Sequence, residues 1–278
     1  MDGTGIIWWL GRRIPKPVGD AIARTVAPVV ALRPPAAVGE WAATVERATG
    51  VTPSRRQHRR LVESWLRNNL WSLRLSEWSA DEALRWTLVS EADEAKLKDS
   101  LAGPGLVLAL PHMGSWDAAG VWSAAVGLNV VSVAERLPKG LYERFRDARE
   151  AMGMTIYPVG EPDLMTRLAV DVRARRMVCL LSDRDLSSRG VRVAWPKGRG
   201  TVSVPAGPAL LAQRTGADLR VVTTHFDGPH LRLEVSERLG GSTAGERMTA
   251  VVAEFAAAVE RHPESWLMLR QVFVDEQS

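Results

Sequence analysis

The sequence predicts an α/β fold, a central mixed sheet flanked by helices with a helical region ahead of it. Three observations predict it. From Gly105 onward, short apolar runs alternate with stretches of helical spacing, the pattern of strands and helices packed in layers. The first 80 residues carry helical spacing and no convincing strand. With 46% hydrophobic residues, 278 residues can bury a sizeable core.

The elements follow in order. "PKPVGDAIARTVAPVVAL" reads as a helix, with Pro17 near its start and Pro34–Pro35 beyond its end. "SRRQHRRLVESWLRNNLWSLRLSEW" reads as another, with Leu61, Trp65, Leu66, Leu70 and Leu73 on one side. "GLVLAL" is a strand, and "GSWDAAGVWSAAVG" a helix closed by Gly127. "VVSVA", "MTIYPV" and "MVCLLS" are strands. Between them lie the helices "PKGLYERFRDAREAMG", entered at Pro138 and left at Gly153, and "DLMTRLAVDVRAR". "VPAGPALLAQRTGA" is a helix, "LRVVTTHF" and "LRLEVS" form a hairpin around "DGPH", and a last helix runs from about Thr243 to Arg261. There is no repeat and no low-complexity linker, so a helical region at 1–80 and an α/β core at 81–278 read as one continuous domain.

Charge is uneven. Residues 1–80 hold twelve Lys/Arg and six Asp/Glu, a net +6 in a chain of net +4, together with six of the eleven tryptophans. Basic side chains beside interfacial aromatics suit an anionic membrane surface. Arginines interleaved with apolar helix positions do not suit nucleic acid, which is excluded as a partner. No stretch is long and uncharged enough to span a bilayer, and "GIIWWLGRR" lacks the order of a signal peptide. One cysteine, Cys179, excludes an internal disulfide framework. The expected location is the cytoplasmic face of the cell membrane, peripherally.

The stretch that carries chemistry is "LPHMGSWDAAG", Leu110–Gly120. His112 is one of five histidines and sits at the carboxyl end of a strand, where α/β sheets bind ligands. Asp117 follows five residues later. On one continuous helix that offset would separate them by roughly 140°, so they can meet only with His112 in the turn and Asp117 in the first helical turn. Asp117 could then fix the imidazole tautomer and stabilise the imidazolium as His112 takes a proton. The alternative is an N-terminal Asp117 that caps the helix and a His112 that is simply a satisfied polar group. Ser115 lacks the glycine two residues on that a nucleophile elbow needs.

"LPHMGSWDAAG" resembles the His-x-Gly-Asn-Trp-Asp-x-x-Gly signature of the lipid A late acyltransferase and phosphatidylinositol mannoside acyltransferase family. The resemblance continues in order through Glu135–Glu150, Leu180–Gly198 ("LLSDRDLSSRGVRVAWPKG"), Val204–Leu219 and "HPESWLMLRQVF" at His262–Phe273. "IIWWLGRRIPKPVGDAIARTVA" faintly resembles the family's membrane-associating entry. The mannoside branch is nearest, on "DRDL" and "MLRQVF". The resemblance implies acyl transfer from acyl-CoA, a co-substrate, to a sugar hydroxyl of a membrane glycolipid, with no other cofactor and no metal. His112 would be the general base, with Asp117 beside it and no acyl-enzyme. Glu135 and Asp185 resemble acids that organise the site, and Arg136, Arg149, Asp183, Arg184 and Trp266 fall in the matching blocks as further site residues. Ser115 stands where the family signature has Asn. Leu267 stands where the mannoside branch has His, which implies looser acceptor choice.

Other classes remain. "SDRDL" suits a metal-dependent glycosyltransferase whose Asp-x-Asp, here Asp183 and Asp185, binds a metal–nucleotide pair. "HFDGPH" brings His225 and His230 near Asp227, but a hairpin turn explains it better because no third and fourth metal ligand is apparent. A non-catalytic lipid-binding relative is the third.

Overall fold

A computed structural model describes residues 11–136, 140–185, 187 and 189–274. Trp8, Trp9 and Pro138 lie outside the described residues. Three helices come first: α1 (Lys16–Leu32), α2 (Ala36–Thr49) and α3 (Arg55–Ser72). Then come α4 (Ala80–Trp86), β1 (Thr87–Val89), α5 (Glu91–Ala102), β2 (Leu106–Leu110), α6 (Trp116–Ala125), β3 (Val130–Ala134) and α7 (Leu141–Ala151). They are followed by β4 (Thr155–Pro158), α8 (Leu164–Arg173), β5 (Met177–Leu181), β6 (Val191–Ala194), β7 (Thr201–Val204) and α9 (Gly207–Thr215). The chain closes with β8 (Asp218–Asp227), β9 (His230–Val235), α10 (Ala244–Arg261) and β10 (Phe273–Val274).

Seven strands form the main sheet in the order β1-β9-β8-β2-β5-β3-β4. The sheet is mixed, as expected: β8, β2, β5, β3 and β4 are parallel to one another, while β9 runs antiparallel to β8 and carries β1 parallel to itself. β2 lies at its centre and is buried at every residue, because helices cover both faces. Leu106, Leu108 and Leu110 pack with α5 and α6 on one face. Val107 and Ala109 pack with α2, α3, α8, α9 and α10 on the other.

Four strands and three helices go beyond the sequence reading. α2, α4 and α5 were not singled out, β1 and β10 are three and two residues long, and β6–β7 is an antiparallel hairpin. The alternation Val191, Val193 and Val202, Val204 was a legible signal for that hairpin, which the Pro, Gly and Arg residues between its strands obscured. β7 and β10 join β6 in a separate three-stranded sheet.

Most of the described tryptophans of the basic region do not face outward. Trp41, Trp71 and Trp78 are core residues, and only Trp65, at 41% exposure, is open among those described. This also corrects the apolar side read for α3, since Trp65 leaves the core that Leu61 enters. Some of the charges are buried too. Asp20 accepts from Lys16 Nζ at 2.7 Å, Arg67 Nε at 3.2 Å and Trp71 Nε1 at 2.8 Å. Lys16 also donates to the Pro229 carbonyl, and Arg67 to that of Gly228. The β8–β9 turn is thereby pinned to α1 and α3 by a buried ion cluster. Asp20→Ala strands two buried cations and should cost about 3–5 kcal/mol, seen as a lower thermal midpoint. An unchanged midpoint would mean that the cluster holds nothing in place.

Candidate active site

The site grows from the end of β2. After Leu110 the chain turns sharply through Pro111–Ser115 before α6 starts. Gly114 makes that turn possible. Its φ is +57°, and a Cβ there would lie 2.5 Å from Thr224 Oγ1 and 2.6 Å from the Thr224 carbonyl. Thr224 of β8 donates its hydroxyl to the Met113 carbonyl at 2.7 Å and accepts from Ser115 N–H at 3.1 Å. From the other side, Gly114 N–H donates to the Ser265 carbonyl and Leu267 N–H to the His112 carbonyl. The turn is therefore held between β8 and the C-terminal block.

His112 stands on this turn with its side chain 30% exposed. Its Nδ1 lies 2.6 Å from Asp183 Oδ1, and its backbone N–H donates to Asp183 Oδ2 at 2.9 Å. Trp266 Nε1 donates to the same Oδ2 at 2.9 Å. An ionised carboxylate only accepts, so Nδ1 carries the proton and Nε2 keeps a free lone pair. Burial opposes charge on both groups. The facing charges and hydrogen bonds outweigh it, holding His112 above the ordinary histidine range and Asp183 below the ordinary carboxylate range.

The carboxylate behind the imidazole is thus Asp183, not Asp117. His112 is in the turn and Asp117 in the first helical turn, as expected, yet Asp117 turns to α7. There Arg149 Nε and Nη2 donate to its two oxygens at 2.7 and 3.1 Å. The physical reason is strand order. β2 and β5 are hydrogen-bonded neighbours, so Ser182 and Asp183 emerge beside Pro111 and His112, with Ser182 N–H donating to the Leu110 carbonyl.

A cavity of about 510 Å³ opens beside this pair. His112, Trp116, Asp117, Arg149, Arg184 and Asp185 border it, and most of its wall is apolar. Trp116 meets the His112 ring edge-on at 5.3 Å. Glu135 also lines it and pairs with Arg184 at 3.7 Å. Cys179 lies in the wall, and burial pushes its thiol up to about 12, so it is no nucleophile. Arg136 lies apart, in a neighbouring open groove.

With this geometry in view, comparison with known proteins is direct. The model of the bacterial lipid A biosynthesis acyltransferases matches residues 6–274. The chain belongs to that family. It is 40% identical over 182 residues to a phosphatidylinositol mannoside acyltransferase of Mycolicibacterium smegmatis, covering 64% of this chain and 59% of that protein. It is 41% identical over 175 residues to one of Mycobacterium tuberculosis, covering 61% and 54%. The chain thus spans between half and three fifths of the length of these relatives.

Membership in this acyltransferase family gives the remaining residues a frame. The Ser115 hydroxyl, where the signature has Asn, is fully buried without a hydrogen-bond partner. Leu267 packs against the core and does not line the cavity, so its side chain is no acceptor contact there. Asp183 and Asp185 do not converge on one ion. Asp183 is saturated by N–H donors, while Asp185 folds its own loop by accepting from Ser187 N–H and Oγ and Gly190 N–H. That removes the carboxylate pair a glycosyltransferase would need. His225 does gain company that the sequence concealed. It stacks on His262 at 3.6 Å and 10°, with Glu234 close by and bound by Arg261, while His230 packs near Trp86. Burial, then the His262 charge, pushes His225 down to about 4. Thr224 and Ser265, which clamp the turn, carried no sequence signal at all.

If Asp183 sets the His112 proton, its replacement moves that titration. NMR of the imidazole should place the wild-type group above the ordinary range, shift it down in Asp183→Asn, and leave it in place in Asp117→Asn. The reverse pattern would return the role to Asp117.

Proposed function

We propose that this chain transfers a long-chain acyl group from acyl-CoA to a mannose hydroxyl of a phosphatidylinositol mannoside. The observation that carries the reading is the His112–Asp183 pair at the mouth of an apolar cavity, in a chain of this family. The relatives' names supply the acceptor class. Another membrane glycolipid or a lysolipid would meet the same chemistry.

In this mechanism His112 Nε2 takes the proton of the acceptor hydroxyl as its oxygen attacks the thioester carbonyl. Asp183 stabilises the imidazolium through Nδ1–H and holds the ring in place. The tetrahedral intermediate collapses, the C–S bond breaks, and the imidazolium returns the proton to sulfur, so CoA leaves as the thiol. No acyl-enzyme forms, and the step uses no metal. The Asp117–Arg149 pair is a positioning element, since it ties the first turn of α6 to α7 across the cavity wall. Arg184 and Glu135 stand at the mouth, where a polar head group would pass.

In this reading α1 makes membrane contact. Val18, Ile22, Val26, Val29 and Leu32 recur at three- and four-residue spacing, and all are exposed, Val29 at 67% and Leu32 at 81%. Arg24 and Arg33 on the same helix and its cap are exposed as well. Such an apolar stripe with basic neighbours suits the surface of an anionic leaflet. No helix among the described residues is long and apolar enough to cross a membrane, and the association proposed here is peripheral, at the cytoplasmic face.

Two outcomes are expected. With palmitoyl-CoA and mannosylated phosphatidylinositol, mass spectrometry should detect acylated product, undiminished by EDTA, and folded His112→Ala should lose at least ~10²-fold in rate. Absence of product with wild type would leave a lipid-binding relative. Loss on chelation that manganese or magnesium restores would point to metal chemistry. In flotation with anionic vesicles, Val29→Asp/Leu32→Asp should be recovered less than wild type, and salt should weaken wild-type binding only in part. Equal flotation of both proteins would take α1 out of the contact.

A further inference from the structure

The cavity beside His112 is built from both cores at once. β5 makes this plain. Cys179 and Leu181 line it from the face that carries α6, and Leu180, between them, lines it from the face that carries α8 and α9. Successive side chains of a strand point to opposite faces. One void bordered by residues 179, 180 and 181 therefore wraps over the end of β5.

The two parts differ in extent and meet at a polar seam. On the α6 face the lining reaches from Ile156 of β4, past Val130, Met177 and Leu108, to Val222 and Leu233. That crosses six adjacent strands, β4-β3-β5-β2-β8-β9, or about 24 Å at ordinary strand spacing. On the opposite face the wall is Leu164, Met165 and Leu168 of α8, with Pro205 and Pro208 at the start of α9. His112, Ser182 and Arg184 lie between the two, at the ends of β2 and β5.

We infer that the two parts hold two hydrocarbon chains together: the donor's acyl chain on the α6 face, and an acyl chain of the acceptor lipid on the α8–α9 face. This rests on the acyl-transfer reading above. The donor must place its thioester carbonyl at His112, and the α6-face part, which His112 and Trp116 border and which extends to both sides of β2, takes its chain from that point. The occupant of the α8–α9 part follows from its chemistry. Its Leu, Met and Pro wall offers no hydrogen bond to the amides of a pantetheine arm or to sugar hydroxyls, and Asp185 and Ser187, which edge it, are already bonded to each other and to Gly190 N–H, so either would enter with polar groups unpaired. A hydrocarbon chain enters without that loss, and its head group then emerges at the Ser182–Arg184 seam, within reach of His112. The acceptor is accordingly recognised through its tail as well as its head group.

Photolabelling tests this without turnover. Phosphatidylinositol with a diazirine in an acyl chain should label peptides 164–168 and 205–208. A non-transferable thioether analogue of palmitoyl-CoA with a diazirine in its chain should label peptides containing Gly120 and Met154. Met165→Trp, which fills the α8–α9 part, should weaken the first labelling and raise the KM for the lipid acceptor by about ten-fold, the scale of two lost methylene contacts. It should leave the KM and chain-length preference for acyl-CoA unchanged. Labelling of one common set of peptides by both probes would overturn the inference. So would a change of donor chain-length preference in Met165→Trp. Separate labelling by the two probes in a protein that transfers nothing would contradict the acyl-transfer reading alone.

Discussion

A 2.6 Å contact joins His112 Nδ1 to the buried carboxylate of Asp183, and the surrounding layers are arranged to keep it. A buried carboxylate is costly unless its oxygens are filled. Each donor to Asp183 comes with its own support. The His112 side chain and N–H come from a turn that Gly114 allows and Thr224 clamps. The Trp266 N–H comes from a short turn after α10, and that indole is stacked on Trp195 at 5.8 Å. Trp41 of α2 donates to the Trp266 carbonyl, and Trp195 to that of Ala48. A chain of three tryptophans thus runs from an N-terminal helix to the carboxylate behind the histidine.

This linkage gives the helical region a second meaning. Trp41, Trp71 and some of its charges are spent inward, on Trp266 and on the Asp20 cluster that grips the β8–β9 turn. Outward it turns the apolar stripe of α1 and Trp65. One region therefore both braces the site and presents an exposed apolar stripe. In the acyl-transfer reading proposed above, that stripe would set the mouth of the cavity against a lipid surface.

Much of this was legible in the residues. The strand–helix alternation after Gly105 placed β2, α6, β3, β4, β5, β8 and β9 close to where they lie, because their apolar runs are short and bounded by Gly or Pro. The place of His112 at the end of a strand was legible from the apolar run before it. Its partner was not. Sequence offset favoured Asp117, five residues away, whereas the pairing depends on β5 lying beside β2, a fact of strand order that no local pattern encodes. The direction of the tryptophans was hidden for a similar reason. Basic and aromatic neighbours look alike on a membrane-facing helix and on one that buries a Trp against a distant carbonyl.

The measurement that bears most directly on the account is the pH dependence of kcat/KM for acyl transfer, in wild type and in a folded Asp183→Asn variant. A general base must be neutral to act, so the rate should rise with pH through the ionisation of His112. In wild type that rise should lie above the ordinary histidine range, because Asp183 stabilises the imidazolium. In Asp183→Asn the plateau should fall by about 10²- to 10⁴-fold and the rise should move to lower pH. A rise at the same pH in both proteins, or a rate independent of pH, would contradict the claim that Asp183 governs a catalytic His112.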